Sequence, residues 1–222
     1  MIPINTTQRT SPDLRVLDAL SSESSSTRLK AALAAGTNPD VRFVDPLVTR
    51  CAIEPDFYVR DMLTWALTRL PAESTVPVLL EELGSEVAQA RSQALHTLSK
   101  IGDRAAWPAI TRSLLHDADD EVARSAWRAA VVLVPDGERA RLARDLADQL
   151  GRGDRTVRLS LSRALVALGP VIEPVLLAGS ASTDPEVCAH ARATERLLRD
   201  PDAGFDESKR IVALGPERAE GA

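Results

Sequence analysis

The sequence predicts an all-α fold, a right-handed α-solenoid of about six helix pairs. Three observations carry the prediction. A helix template anchored on a basic residue recurs six times at a nearly constant period. A second apolar helix fits between successive copies, and no alternating strand pattern survives anywhere in the 222 residues. Composition agrees with these: 44% of residues are apolar but only 3% are aromatic. The core must therefore come from Leu, Val, Ile and Ala, and Ala and Leu stand at the top of the helix scale.

The copies are anchored at Arg28, Arg60, Arg91, Arg124, Arg158 and His190, spaced 32, 31, 33, 34 and 32 residues apart. In order, DLRVLDALSS (13–22) reads as the first helix A. The copy at Arg28 follows, with Ala31, Ala34, Ala35 and then Pro39. The next helix A is VDPLVTRCAI (44–53), and its helix B runs Val59, Leu63, Ala66, Leu67, Leu70 to Pro71. TVPVLLEELG (75–84) precedes Ala90, Ala94, Thr97, Leu98, Ile101 and Gly102. AAWPAITRSLL (105–115) precedes Ala123, Trp127, Ala130, Val131, Val134 and Pro135. ERARLARDLADQL (138–150) precedes Val157, Leu161, Ala164, Leu165, Leu168 and Gly169. VIEPVLLAGS (171–180) precedes the last copy, with Ala193, Leu197 and Pro201.

At about 100° per residue the template positions fall on one helical stripe. The Gly or Pro eleven residues past the anchor stops the helix. An Asp follows in four copies, Asp40, Asp103, Asp136 and Asp202, where it caps the next helix or starts a turn. Pro46, Pro77, Pro108 and Pro174 are expected in the first turns of their A helices, where the missing N–H is not needed. One pair cannot bury its stripes alone, so neighbouring pairs must stack. The expected organisation is a flexible N-terminus (1–11), the repeat array (12–203), and a polar C-terminal tail (204–222). That tail carries a short helix-like segment, SKRIVALG, which caps the last repeat or docks in a groove.

The net charge of −5 argues against nonspecific binding to nucleic acid or anionic membrane. Cys51 and Cys188 lie far apart with no metal-ligand spacing and read as reduced core thiols. No two of the three histidines lie at i, i+3 or i+4, so no metal site is expected. MIPINTTQRTSPD lacks the pattern of a signal peptide, and no apolar run approaches the length of a membrane span. A soluble cytoplasmic protein is expected. No GxSxG, Cys/His pair or phosphate-cradling glycine loop is present, and no cofactor is expected. GRGD (151–154) reads as a turn into helix B.

The fullest copies, DRTVRLSLSRALVALGP (154–170) and DFYVRDMLTWALTRLP (56–71), follow helices of the form VPVLLEELG or EPVLLAG. This pattern resembles the HEAT repeat, in the short bacterial form shared with phycobilin lyase subunits, over roughly residues 12–203. The resemblance implies a ladder between units, in which an acid before helix B and the Arg within it pair. The matching residues are Asp56/Arg60, Asp120/Arg124 and Asp154/Arg158, with Glu86/Arg91 displaced by one and Glu186/His190 in the last unit. It also raises three enzyme classes. Deoxyhypusine hydroxylase-like proteins need His-Glu dyads, but these histidines are followed by Thr97, Asp117 and Ala191. Alkylation-repair DNA glycosylases of this type need a basic cleft, whereas segment 121–165 has nine Arg against six acids. Phycobilin lyases need a tetrapyrrole pocket, which nothing in the sequence singles out.

The resemblance places helix B on the concave side, so positions +1, +5 and +8 from the anchor form its floor. Those rows contain no Lys and include Leu33, Asp61, Trp65, Thr68, His96, Val132, Leu159, Arg163 and Val166. The expected function is a non-catalytic scaffold that binds another protein or a peptide there; the alternative is a DNA-base glycosylase or a chromophore-lyase-like protein. The candidate contact residues are Asp61, Trp65, Thr68, His96, Arg128, Leu159, Arg163 and Val166. Trp and Arg are the anchors such surfaces favour. Trp107 and Trp127 read as packing residues, and self-association through an apolar edge remains open. The aromatic-rich stretch PDFYVRDMLTWALTRLP (55–71) thus shrinks from an apparent active site to Asp61, Trp65 and Thr68 on a shared floor.

Overall fold

A computed structural model describes residues 12–200 and contains only helices and turns among them. The expected readings of residues 1–11 and of the tail from 204 lie outside the described residues. The chain divides into two compact units between Ala109 and Ile110.

The first unit holds α1 (Pro12–Leu20), α2 (Ser25–Thr37), α3 (Val44–Ile53), α4 (Phe57–Thr68), α5 (Ala72–Glu82) and α6 (Ala88–Ile101). They pack as pairs, α1 with α2, α3 with α4 and α5 with α6, and the B helices α2, α4 and α6 stack in sequence. Leu47, Leu63, Leu67, Leu79, Leu95 and Leu98 are fully buried between them. Truncating any one of these to Ala costs about 2–5 kcal/mol, because lost transfer energy and a residual cavity add.

The second unit holds α7 (Arg112–Leu115), α8 (Asp120–Leu133), α9 (Arg139–Ala147), α10 (Arg155–Ala167), α11 (Glu173–Ser180) and α12 (Pro185–Arg199). It repeats the pairing, with α8, α10 and α12 as the stacked B helices. Trp127 is completely buried and its Nε1–H donates to the Leu115 carbonyl at 2.8 Å, so a polar atom enters the core with its partner. Trp107 is buried as well.

All six anchors fall inside B helices, and the glycine stops behave as such. Gly102 and Gly169 end α6 and α10 with φ of 73° and 77°, left-handed values that a side chain would strain. Asp40 and Asp103 accept hydrogen bonds from the amides two residues on, Arg42 and Ala105.

Two A helices differ from expectation. α5 begins at Ala72, which places Pro77 in the helix interior and not its first turn. Segment 105–115 is not one helix. It runs as a 3-10 helix (Arg104–Ala109) containing Pro108, breaks at Ile110 and Thr111, and resumes only as the short α7. Pro108 has no N–H to donate and its ring crowds the preceding turn.

Candidate functional site

The geometry of the B-helix faces begins with how each helix is started. Asp56, Asp119, Asp154 and Asp184 cap α4, α8, α10 and α12, each accepting from two amides of the first turn. In α8 the cap is Asp119; its neighbour Asp120 instead receives Arg152 at 2.8 Å.

The anchoring arginines fasten the turn before their own helix. Arg28 Nη1 donates to the carbonyls of Ser22 and Glu23, Arg60 Nη1 to Glu54 and Pro55, each at 2.8 Å. Arg91 Nη1 does the same to Ser85 and Glu86, at 2.8 and 3.2 Å, and Arg158 Nε donates to Gly153 at 3.0 Å. Arg124 pairs within its own helix, with Glu121 at 2.5 Å. Two anchors also reach the following pair: Arg158 to Glu186, and Arg28 to Glu54. Asp56 and Asp154, the expected partners of Arg60 and Arg158, serve as caps; Arg60 meets backbone carbonyls and Arg158 meets Glu186.

Glu54 is the most deeply held charge in the first unit. It is fully buried, and its carboxylate accepts from Arg28 Nε at 2.6 Å, Arg28 Nη2 at 2.7 Å, Arg50 Nε at 2.8 Å and the Asp56 amide at 2.9 Å. Burial alone would raise this carboxyl, but the guanidiniums and the amide outweigh it and hold it at about 2. In the second unit a neutral cluster does a similar job. His190 Nδ1 accepts from the Gly151 amide at 3.0 Å, and its Nε2 lies 3.0 Å from the Arg158 carbonyl and 3.1 Å from Ser162 Oγ. Ser162 Oγ is 2.8 Å from Thr194 Oγ1, which donates to the His190 carbonyl. Burial lowers the His190 pKa. The accepted Gly151 N–H and the facing Arg158 carbonyl assign the proton to Nε2.

The candidate floor is uneven. Asp61 is exposed and Trp65 is 38% exposed, whereas Thr68 is half-buried and its hydroxyl donates to the Trp65 carbonyl at 2.7 Å. His96 and Val166 are half-buried; Arg128, Leu159 and Arg163 are exposed. Other positions of the same rows, Gly36, Ser92, Ser125, Ala129 and Ala191, are buried, because neighbouring B helices approach closely enough to cover them. The closest approach joins α2 and α4. A Cβ placed on Gly36 would lie 2.3 Å from the Trp65 ring and 2.9 Å from Ala66 Cα. Trp65 therefore packs one side of its indole on Gly36 and presents the other outward.

The two units display different chemistry on these faces. The first offers Leu33, Asp61 and Trp65. The second offers Val132, Leu159 and Val166 beside Arg128 and Arg163, and no ion pair of either guanidinium is present among the described residues. Burial, and then the nearby Arg124, lower the Arg128 pKa from its ordinary value.

The sequence reasoning passed over one exposed group. Phe57 and Tyr58 are 65% and 74% exposed and meet edge to face at 5.6 Å, with the Arg60 guanidinium 6.0 Å from the Phe57 ring. Their position ahead of the anchor, off the buried stripe, was the available signal. Among the described residues no group of three or more His, Cys, Asp or Glu is placed to hold a metal ion, and no helix is long and apolar enough to cross a membrane. Cys51 and Cys188 are both free thiols. Burial pushes Cys51 up to about 12, and Cys188 Sγ donates to the Ser180 carbonyl at 3.2 Å.

No curated protein matches the sequence. Among solved structures, the complex of CpcE and CpcF of phycocyanin lyase from Nostoc sp. is similar, at 20% identity over 89% of this chain and 80% of that one, with a TM-score of 0.48. The family model for HEAT repeats matches residues 44–131, which run from the start of α3 into α8. The chain is thus an all-α helical-repeat protein, and its residues 44–131 match the family model for HEAT repeats.

Proposed function

We propose that the protein is a non-catalytic adaptor that holds a segment of another protein against the outer faces of its B helices. The observation that carries this reading is the α8 and α10 face. Val132 and Leu159 are 45% and 40% exposed there, beside the exposed guanidiniums of Arg128 and Arg163. A helix pair that needed only to pack would place solvated Lys or Glu at these positions. Exposed aliphatic area beside arginines that form no ion pair among the described residues suits a segment carrying both apolar side chains and carboxylates, since Arg binds carboxylate through a planar fork of donors. In the first unit, Trp65 and Leu33 offer a more apolar surface.

The test is a displayed-peptide selection on the wild-type chain and on the Arg128→Glu/Arg163→Glu variant. Peptides that mix acidic and apolar residues should be enriched on the wild type and lose about ten-fold or more in affinity on the variant. Failure to enrich such peptides, or equal enrichment on both proteins, would sink the adaptor reading for this face.

A further inference from the structure

We infer that α4 carries a recognition site for an arginine side chain of a partner protein: the guanidinium stacks on the outward side of Trp65 and forks onto the Asp61 carboxylate. The site lies in the first unit and selects the charge opposite to that taken by the α8 and α10 face, so it goes beyond the adaptor reading. Tyr58, Asp61 and Trp65 stand at i, i+3 and i+7 along α4, which places them on one helix face. All three are exposed. The four-residue step from Asp61 to Trp65 is a rise of about 6 Å, so carboxylate and indole are neighbours one turn apart. The indole is held before any ligand arrives. One of its sides lies on Gly36 so closely that a Cβ there would collide with the ring. A platform already fixed loses little freedom when a second plane stacks on it. Of the aromatic rings, an indole also attracts a cation best.

Asp61 supplies the charge. Its carboxylate makes no hydrogen bond or ion pair among the described residues. The adjacent Arg60 is already engaged, its Nη1 donating to the Glu54 and Pro55 carbonyls. Along the three floor rows of the first unit Asp61 is the sole acid, and no Lys or Arg accompanies it. An unpaired carboxylate on a partly apolar face calls for a cation, and the indole beside it calls for a planar one. A guanidinium can stack through its plane while it donates two parallel hydrogen bonds within that plane, and it is more weakly hydrated than an ammonium. Tyr58, one turn before Asp61, and Leu33, in the Trp65 row of α2, leave exposed apolar surface for the side chains that flank the arginine.

Titration of the full-length chain with three peptides tests the site: acetyl-Leu-X-Leu-amide with arginine, lysine or citrulline at the centre. The readout is the indole N–H resonance of Trp65, assigned through Trp65→Phe. The arginine peptide should move it saturably and leave the resonances of the buried Trp107 and Trp127 in place. Citrulline keeps the plane and loses the charge, whereas lysine keeps the charge and loses the plane. Each should bind about five-fold more weakly than arginine. Asp61→Asn alters an exposed side chain, so the melting curve should not change, and the arginine peptide should weaken by about five-fold. Equal binding of the arginine and lysine peptides overturns the proposal, because charge alone is then being read. Citrulline binding as tight as arginine overturns it too, because the face is then merely apolar. Unchanged arginine binding in Asp61→Asn, or no saturable shift of Trp65, has the same force.

Discussion

Arg28 in the first unit and His190 in the second occupy the same template position, yet they fasten their surroundings by different means. In the first unit a buried ion pair joins α2 to the end of α3, with the Glu54 carboxylate held by two guanidiniums and an amide. In the second, a neutral imidazole accepts a hydrogen bond from the Gly151 amide in the α9–α10 turn and closes a hydroxyl network with Ser162 and Thr194. At these two copies the position ties its surroundings together with a charged side chain in one and a neutral one in the other; it does not dictate charge. The choice of chemistry instead fixes how each unit responds to pH.

The largest effect should come from breaking the charged tie. Glu54→Ala leaves Arg28 buried without its acid and should cost about 3–5 kcal/mol, read as a lower denaturant midpoint. The wild-type tie also has its own pH window. The Glu54 carboxyl is held at about 2 against an ordinary 4.5. Its contribution is therefore complete above about pH 4.5 and is lost as pH falls from there towards 2, by up to about 3 kcal/mol. If Glu54→Ala melts like the wild type, the buried pair is not what holds α2 on α3.

The neutral tie should yield earlier in an acid titration. His190 has a lowered pKa in the fold, so its contribution is complete above its ordinary value of 6.5 and is lost as pH drops below that. His190→Gln keeps a donor and an acceptor without a titrating ring. It should cost about 1–2 kcal/mol at pH 7 and flatten the stability change between pH 7 and 5. An unchanged slope in that variant would assign the acid sensitivity elsewhere. The smallest effect belongs to Arg112, which pairs with Asp145 and Asp148 at 2.8 Å with its side chain 58% exposed. Arg112→Ala should leave the denaturant midpoint close to that of the wild type, showing that distance alone does not rank these ties.

The repeat period and the buried stripe were legible in the sequence because both follow from local spacing: Val59, Leu63, Ala66 and Leu67 are buried as their template positions require. Glu54 was not legible as a partner of Arg28. It lies two residues before the Asp that the template pairs with arginine, and only the packing of α3 beside α2 brings it there. Gly36 read as one more floor position because a sequence cannot show that an indole lies across it. On the site, exposure of Asp61, Leu159 and Arg163 followed from helical phase. The burial of Ser92, Ser125 and Ala129 did not, since it depends on how closely adjacent B helices approach. Helix breaks obey local chemistry too, but Pro108 acts within a 3-10 segment whose extent no spacing rule announces.

The close seating of Trp65 on Gly36 has an optical consequence. Of the three tryptophans, Trp127 is wholly enclosed, Trp107 is 9% exposed and Trp65 is 38% exposed. The first two supply a steady blue emission, and the third supplies the red edge of the spectrum and the fraction open to aqueous quenchers. Anything that settles over α4 should shift that edge to shorter wavelength and shield it from iodide. The chain therefore carries an intrinsic reporter of occupancy at this face, readable without a label.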